Sequence, residues 1–115
     1  MITIMIQEEP YLKSDRAWNA LKLAQTLLAY DKKVNVFLTD GASVIARTNH
    51  DVPEDCENLE NLLKEIIEEG GEVKACRTAL KKRGIGSDEV IEGIGEGSTA
   101  VLTNWTIESE KVVSF

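Results

Sequence analysis

Leu59, Leu62, Leu63, Ile66 and Ile67 fall at i, i+3, i+4, i+7 and i+8, with Glu60, Lys64, Glu65, Glu68 and Glu69 between them. At 3.6 residues per turn, that spacing gathers the apolar side chains on one stripe of a helix and turns the charges to water. Gly70-Gly71 stops the pattern. Upstream, Val34 to Leu38 reads as a short strand buried on both faces. Downstream, Glu72 to Cys76 alternates polar and apolar residues, so it reads as a less deeply buried strand. Strand, helix, strand in that order calls for a crossover between parallel strands.

The same alternation runs through the rest of the chain. Ile2 to Ile6 is a first buried strand. A helix is expected from near Ser14, with Ala17, Ala20, Leu21, Ala24, Leu27 and Leu28 on its buried face. Ala42 to Ala46 reads as one or two helical turns, and Arg47 to Asp55 as a loop broken by Asn49, Asp51 and Pro53. Arg77 to Arg83 reads as a helix capped by Gly84, and Glu92 to Ile94 as a minimal strand. A last helix should run from Ser98 to about Ser109, packed through Ala100, Val101, Leu102 and Trp105, before a C-terminal strand over Lys111 to Phe115. The fold class is therefore α/β, one domain over residues 1–115, with functional groups expected at the carboxyl edge of the strands.

Composition narrows the partners. Twenty acids against 13 bases leave a formal charge of −7, which repels phosphate backbones, so nucleic acid is not expected. Nothing approaches the roughly 20 apolar residues of a spanning helix. The run Met1 to Ile6 is interrupted by Thr3, lacks a basic flank and leads into Glu8-Glu9, so it does not read as an export signal. No membrane association and a cytoplasmic location are the expectations. Cys56 and Cys76 are then expected to be free thiols, and one histidine with no CxxC pair argues against a metal site. The many carboxylates show no pairing suited to acid–base work.

Cys76 carries the sharpest chemical signal. It ends a strand and begins a helix, where unpaired backbone N–H groups favour an anion. Arg77, Lys81, Lys82 and Arg83 concentrate positive charge beside it in an otherwise acidic chain. The plain alternative is a small buried apolar residue. Gly93-Ile94-Gly95-Glu96-Gly97 lacks the GxGxxG pattern, lies outside the first βα turn and carries an acid, so it reads as a structural turn rather than a nucleotide loop. Trp18 and Trp105 read as packing or subunit contacts.

The segment Val73-Lys74-Ala75-Cys76-Arg77-Thr78-Ala79-Leu80-Lys81-Lys82-Arg83-Gly84-Ile85 resembles the cysteine segment of the DsrE/DsrF-like family. The resemblance extends through Asn19 to Ala24, Val34 to Leu38 with Asp40-Gly41 and Val44-Ile45-Ala46, then Ile91 to Ser98, Trp105-Thr106 and Lys111 to Phe115. It implies a three-layer α/β/α domain with a mostly parallel sheet of about five strands. It also implies cytoplasmic oligomers, commonly trimers or hexamers, with no cofactor. In sulfur-relay members the matching cysteine takes up sulfane sulfur as a persulfide and hands it to a partner protein. By that resemblance Cys76 would be the carrier, making the chain a candidate sulfurtransferase acting between donor and acceptor proteins. Arg77, Thr78 and Lys81 would stabilise its thiolate. Many relatives have a second cysteine three residues later; here Ala79 stands there, so a local CxxC disulfide cannot form, which argues against thioredoxin-like redox cycling and leaves single-thiol sulfur transfer open.

Cys56, near the start of the long helix, and His50, in the loop beside Asp51, are candidate accessory groups at the same sheet edge: a resolving thiol and a base. Two other classes fit the same fold. One is a non-catalytic oligomeric assembly or regulatory module, in which Cys76 would resist alkylation. The other is a small-ligand binding protein, whose ligand would still bind after Cys76→Ala.

Overall fold

Strand-forming residues come in runs of only three to five along this chain, and each of the first three runs is followed by a helix that brings the next strand alongside in parallel. The computed structural model describes all 115 residues. Its elements are β1 (Ile2–Ile6), α1 (Arg16–Ala29), β2 (Val34–Leu38), α2 (Leu59–Glu68), β3 (Glu72–Cys76), α3 (Arg77–Lys82), β4 (Gly95–Gly97), α4 (Thr99–Glu108) and β5 (Lys111–Ser114), with 3-10 segments at Asp40–Ala46 and Ser87–Glu89. The five strands form one sheet in the order β4-β3-β2-β1-β5, and every pairing is parallel. This is the expected α/β architecture.

The strand order explains the layers. From β1 the chain steps to β2, β3 and β4 in one direction, then α4 carries it back across the sheet to β5 beside β1. Right-handed crossovers made in opposite directions place their helices on opposite faces. The first face holds the main core. There Ile4, Ile6, Val36, Leu38, Val73 and Ala75 pack beneath Leu21, Ala24, Leu63 and Ile66 of α1 and α2.

The second face is covered by α4, and sparsely. Trp105 packs edge-on against Phe37 of β2, with ring centroids 6.2 Å apart, and the Lys74 ammonium lies 5.4 Å from the indole centroid. Thr3, Asn35 and Ser109 form a polar thread beneath the helix: Asn35 Nδ2 donates to Thr3 Oγ1 at 3.3 Å, and the two hydroxyls meet at 2.7 Å. The buried Asn35 Oδ1 has no partner.

Helix ends follow local chemistry. Asn58 Oδ1 accepts from the N–H groups of Glu60 and Asn61, capping α2. Gly70, at φ 101, ends it in a left-handed turn. Ser98 Oγ accepts the Val101 N–H and caps α4.

Three expectations need correcting. The minimal strand lies at Gly95–Gly97, not at 92–94. The reason is Gly97, where a Cβ would come within 2.9 Å of the Ala75 backbone and 2.8 Å of the Phe37 ring; only glycine lets the edge strand approach β3. The first helix starts at Arg16, with Asp15 at its cap, because Ser14 Oγ accepts from the Arg16 N–H in a turn before the helix. Finally, α4 buries Trp105 alone: Val101 and Leu102 are half-buried and Ala100 is exposed. A ten-residue helix spanning a polar sheet face has little apolar surface to meet.

Candidate functional site

Cys76 is the last residue of β3 and the cap residue of α3, with φ −59 and ψ 117. Alternation along β3 sends Val73 and Ala75 into the main core, so Cys76 shares with Lys74 the face on which α4 lies. It is a half-buried free thiol, neither sealed in hydrocarbon nor fully open. Opposite it in register is Gly97, which presents no side chain to cover the sulfur. Because α3 has only six residues, its dipole is short. What it offers is a first turn whose backbone N–H groups lack intrahelical acceptors.

The expected basic neighbours divide. Arg77 turns to β4, where its Nε lies 3.2 Å from Glu96 Oε1. Thr78 is exposed in the first turn of α3, and Lys81 lies exposed one turn further on. Arg77 and Lys81 also border a cavity of about 460 Å3 floored by Leu80, Ile85 and Ile94. Positive charge therefore surrounds the helix that follows Cys76, with Arg77 partly neutralised by Glu96.

His50 and Cys56 lie elsewhere. Both ring nitrogens of His50 are engaged: Nδ1 is 2.6 Å from Tyr11 Oη and Nε2 is 3.1 Å from the Ile45 carbonyl. A carbonyl only accepts, so Nε2 carries the proton and Nδ1 accepts from the Tyr11 hydroxyl. Tyr11 Oη in turn accepts the Leu59 N–H at 3.1 Å. Burial pushes the His50 pKa down, against the opposing pull of the Glu60 charge and the Ile45 carbonyl. Burial likewise pushes the Tyr11 pKa up, so the phenol keeps its proton. Glu60 Oε1 accepts the His50 backbone N–H at 3.0 Å. For the Glu60 carboxyl, burial acts upward but is outweighed by the His50 and Asn49 N–H groups and by Lys64, and its pKa falls. His50 thus holds the 47–58 segment to β1's exit and to α2; it is not hydrogen-bonded to Cys76.

Cys56 is exposed and lines a separate cleft of about 740 Å3 between the start of α1 and the 51–58 segment. Trp18 borders this cleft and donates its indole N–H to Glu57 Oε2 at 2.6 Å. Cys76 borders neither this cleft nor the cavity beside α3. Tyr11, Glu57 and Glu60 were not legible as site residues from local sequence: Tyr11 meets His50 across 39 positions, and no spacing rule spans that distance.

The sequence pattern of the DsrE/DsrF-like family matches residues 1–115. The chain belongs to that family. Its relatives include the uncharacterized protein MK0008 of Methanopyrus kandleri, 36% identical over 115 residues covering 100% of this chain and 93% of that protein. The uncharacterized protein MJ0989 of Methanocaldococcus jannaschii is also 36% identical, over 98% of this chain and 97% of its own length. Among solved structures, the YchN protein of E. coli superposes with a TM-score of 0.89 at 29% identity, covering 99% of this chain and 97% of that one. MTH1491 of Methanobacterium thermoautotrophicum shares the fold at a TM-score of 0.77 and 18% identity, covering 99% and 97%. The DsrE-like fold and family are thereby established for this chain.

Proposed function

We propose that the protein is a sulfur-relay carrier that holds sulfane sulfur as a persulfide on Cys76 and passes it to a thiol of a partner protein. The observation that carries this reading is a half-buried free thiol at the carboxyl end of β3, beside unpaired helix-start N–H groups, in a chain of the DsrE/DsrF-like family.

The chemistry balances without an oxidant. The Cys76 thiolate attacks the outer sulfur of a donor persulfide; the donor S–S bond breaks and its thiolate leaves. Cys76 then carries the persulfide. An acceptor thiolate attacks that outer sulfur in turn, forming the acceptor persulfide and returning Cys76 to a thiolate. Both steps need an anionic attacker and an open approach to sulfur. The chain's own part is to present the sulfur at a sheet edge, half-buried and beside the first turn of α3. With Ala79 in place of a nearby second thiol, the persulfide is not intercepted by a local disulfide.

Intact-mass measurement after incubation with a persulfide donor tests the reading. Addition of one sulfur atom that disappears in Cys76→Ala is expected. No addition, or the same addition in the variant, ends it.

Assembly into a homo-oligomer, a trimer or hexamer in the cytoplasm, is part of the same proposal. Its support is exposed apolar surface at the C-terminal end of the chain: Ile107 is 76% exposed on α4 and Val112 43% exposed on β5, side chains that a second copy of the chain would cover. Light scattering should give a multiple of 12.7 kDa, and Ile107→Asp should lower it. A monomeric mass for the unaltered protein contradicts this part.

A further inference from the structure

We infer that the cleft between the start of α1 and the 51–58 segment binds a small organic cation with an apolar body, a function separate from the chemistry at Cys76. Its volume of about 740 Å3 is that of a small-molecule site. Its charge is one-sided: Asp15, Asp51 and Glu57 line it, and no lysine or arginine does. Its walls are apolar and aromatic, with Tyr11 and Trp18 on the α1 side and Val52 and Pro53 opposite. Rings beside carboxylates attract an ammonium through both the ring quadrupole and direct charge.

Two further observations point the same way. Leu12, on the rim, is 104% exposed, an apolar side chain with nothing from its own chain to cover it. On the same wall, the Lys22 ammonium lies 5.7 Å from the Trp18 centroid and 3.1 Å from Glu57 Oε1. That intrachain ammonium already meets this ring and this carboxylate together. It leaves Asp15 and Asp51, which form no ion pair, to receive a second cation from within the cleft. The occupant is a free amine rather than a partner's lysine, since the site is a concavity of ligand size and not a flat face.

Titrating the isotope-labelled full chain with phenethylammonium, and separately with 3-phenylpropionate as its anionic counterpart, tests this. The ammonium should shift the amide signals of Tyr11, Trp18 and Cys56 in a saturable way, and the carboxylate should not. Asp15→Asn and Asp51→Asn should each weaken binding about two- to fivefold. Cys76→Ala should leave the titration unchanged, which keeps this site's outcome independent of the persulfide reading. Equal response to both probes, no response to the ammonium, or shifts confined to other parts of the chain would overturn the inference. So would tighter binding of a lysine-rich peptide than of the free amine, which would make the cleft a protein-docking surface.

Discussion

Tyr11 is the residue on which most local order depends. It adopts a left-handed φ of 66, unusual for a side chain of its size, and its hydroxyl satisfies both His50 Nδ1 and the Leu59 N–H. Tyr11→Phe leaves both without a partner and should cost about 1–3 kcal/mol, read as a lower midpoint in urea. His50 adds a pH dependence. Its pKa in the folded chain lies below the ordinary 6.5, so between the two values the unfolded chain binds the proton and the folded one does not. Stability is then complete above about 6.5 and declines as pH falls toward the folded value. Thermal melts from pH 7.5 to 5 should show that decline, and His50→Gln should flatten it; an unchanged slope in the variant would contradict the assignment. The Glu57 and Glu60 carboxyls, both held below 4.5, contribute only at lower pH. Asn35 works in the other direction. Its buried oxygen is unpartnered on a central strand, so Asn35→Val should raise stability by about 1 kcal/mol, with Thr3 still bonded to Ser109.

Among the elements, α2 and α4 contrast. The apolar stripe of α2 is long enough to bury Leu59, Leu62, Leu63 and Ile66, and its position was readable from spacing alone. By contrast, α4 has no such stripe. It is held by one aromatic contact, one cation over a ring and a polar thread. Trp105→Ala should therefore cost about 3–5 kcal/mol and loosen α4 preferentially, seen as faster amide exchange over 99–108 than over 59–68. Because Cys76 lies on the α4 face, this variant should also speed alkylation of Cys76. Gly97→Ala acts through the same neighbourhood: its Cβ would strike the Ala75 backbone, displacing β4 from the strand that carries the thiol.

Across the whole molecule, charge is sorted. Arg77, Lys81, Lys82 and Arg83 cluster on and after α3, while Asp51, Glu54, Asp55, Glu57 and Glu60 crowd the segment that holds Cys56. The charges nearest the two thiols along the chain are therefore mostly opposite in sign, with Arg77 paired to Glu96. Cationic thiosulfonates should modify Cys56 faster than anionic ones, and Cys76 should show the reverse preference. Both preferences should shrink as added salt brings the screening length to about 8 Å or below. Rates read by peptide mass after timed quenching would reveal it; a common preference at both cysteines would refute the sorting.

Apolar periodicity located α1 and α2, and cap residues and short apolar runs located the other two helices and four of the five strands; without an apolar stripe, the buried face of α4 could not be read beyond Trp105. Local pattern also placed Cys76 at a strand-to-helix junction, a property of neighbouring residues. Strand order and the assignment of α4 to the opposite face depend on where the chain turns back, and no local pattern encodes that. Nor could spacing reveal that His50 is locked by Tyr11, that Arg77 turns to Glu96, or that Cys56 opens into an acid-lined cleft. Those contacts join residues 10 to 48 positions apart, and they exist only because packing of the sheet and its helices brings distant loops to one edge.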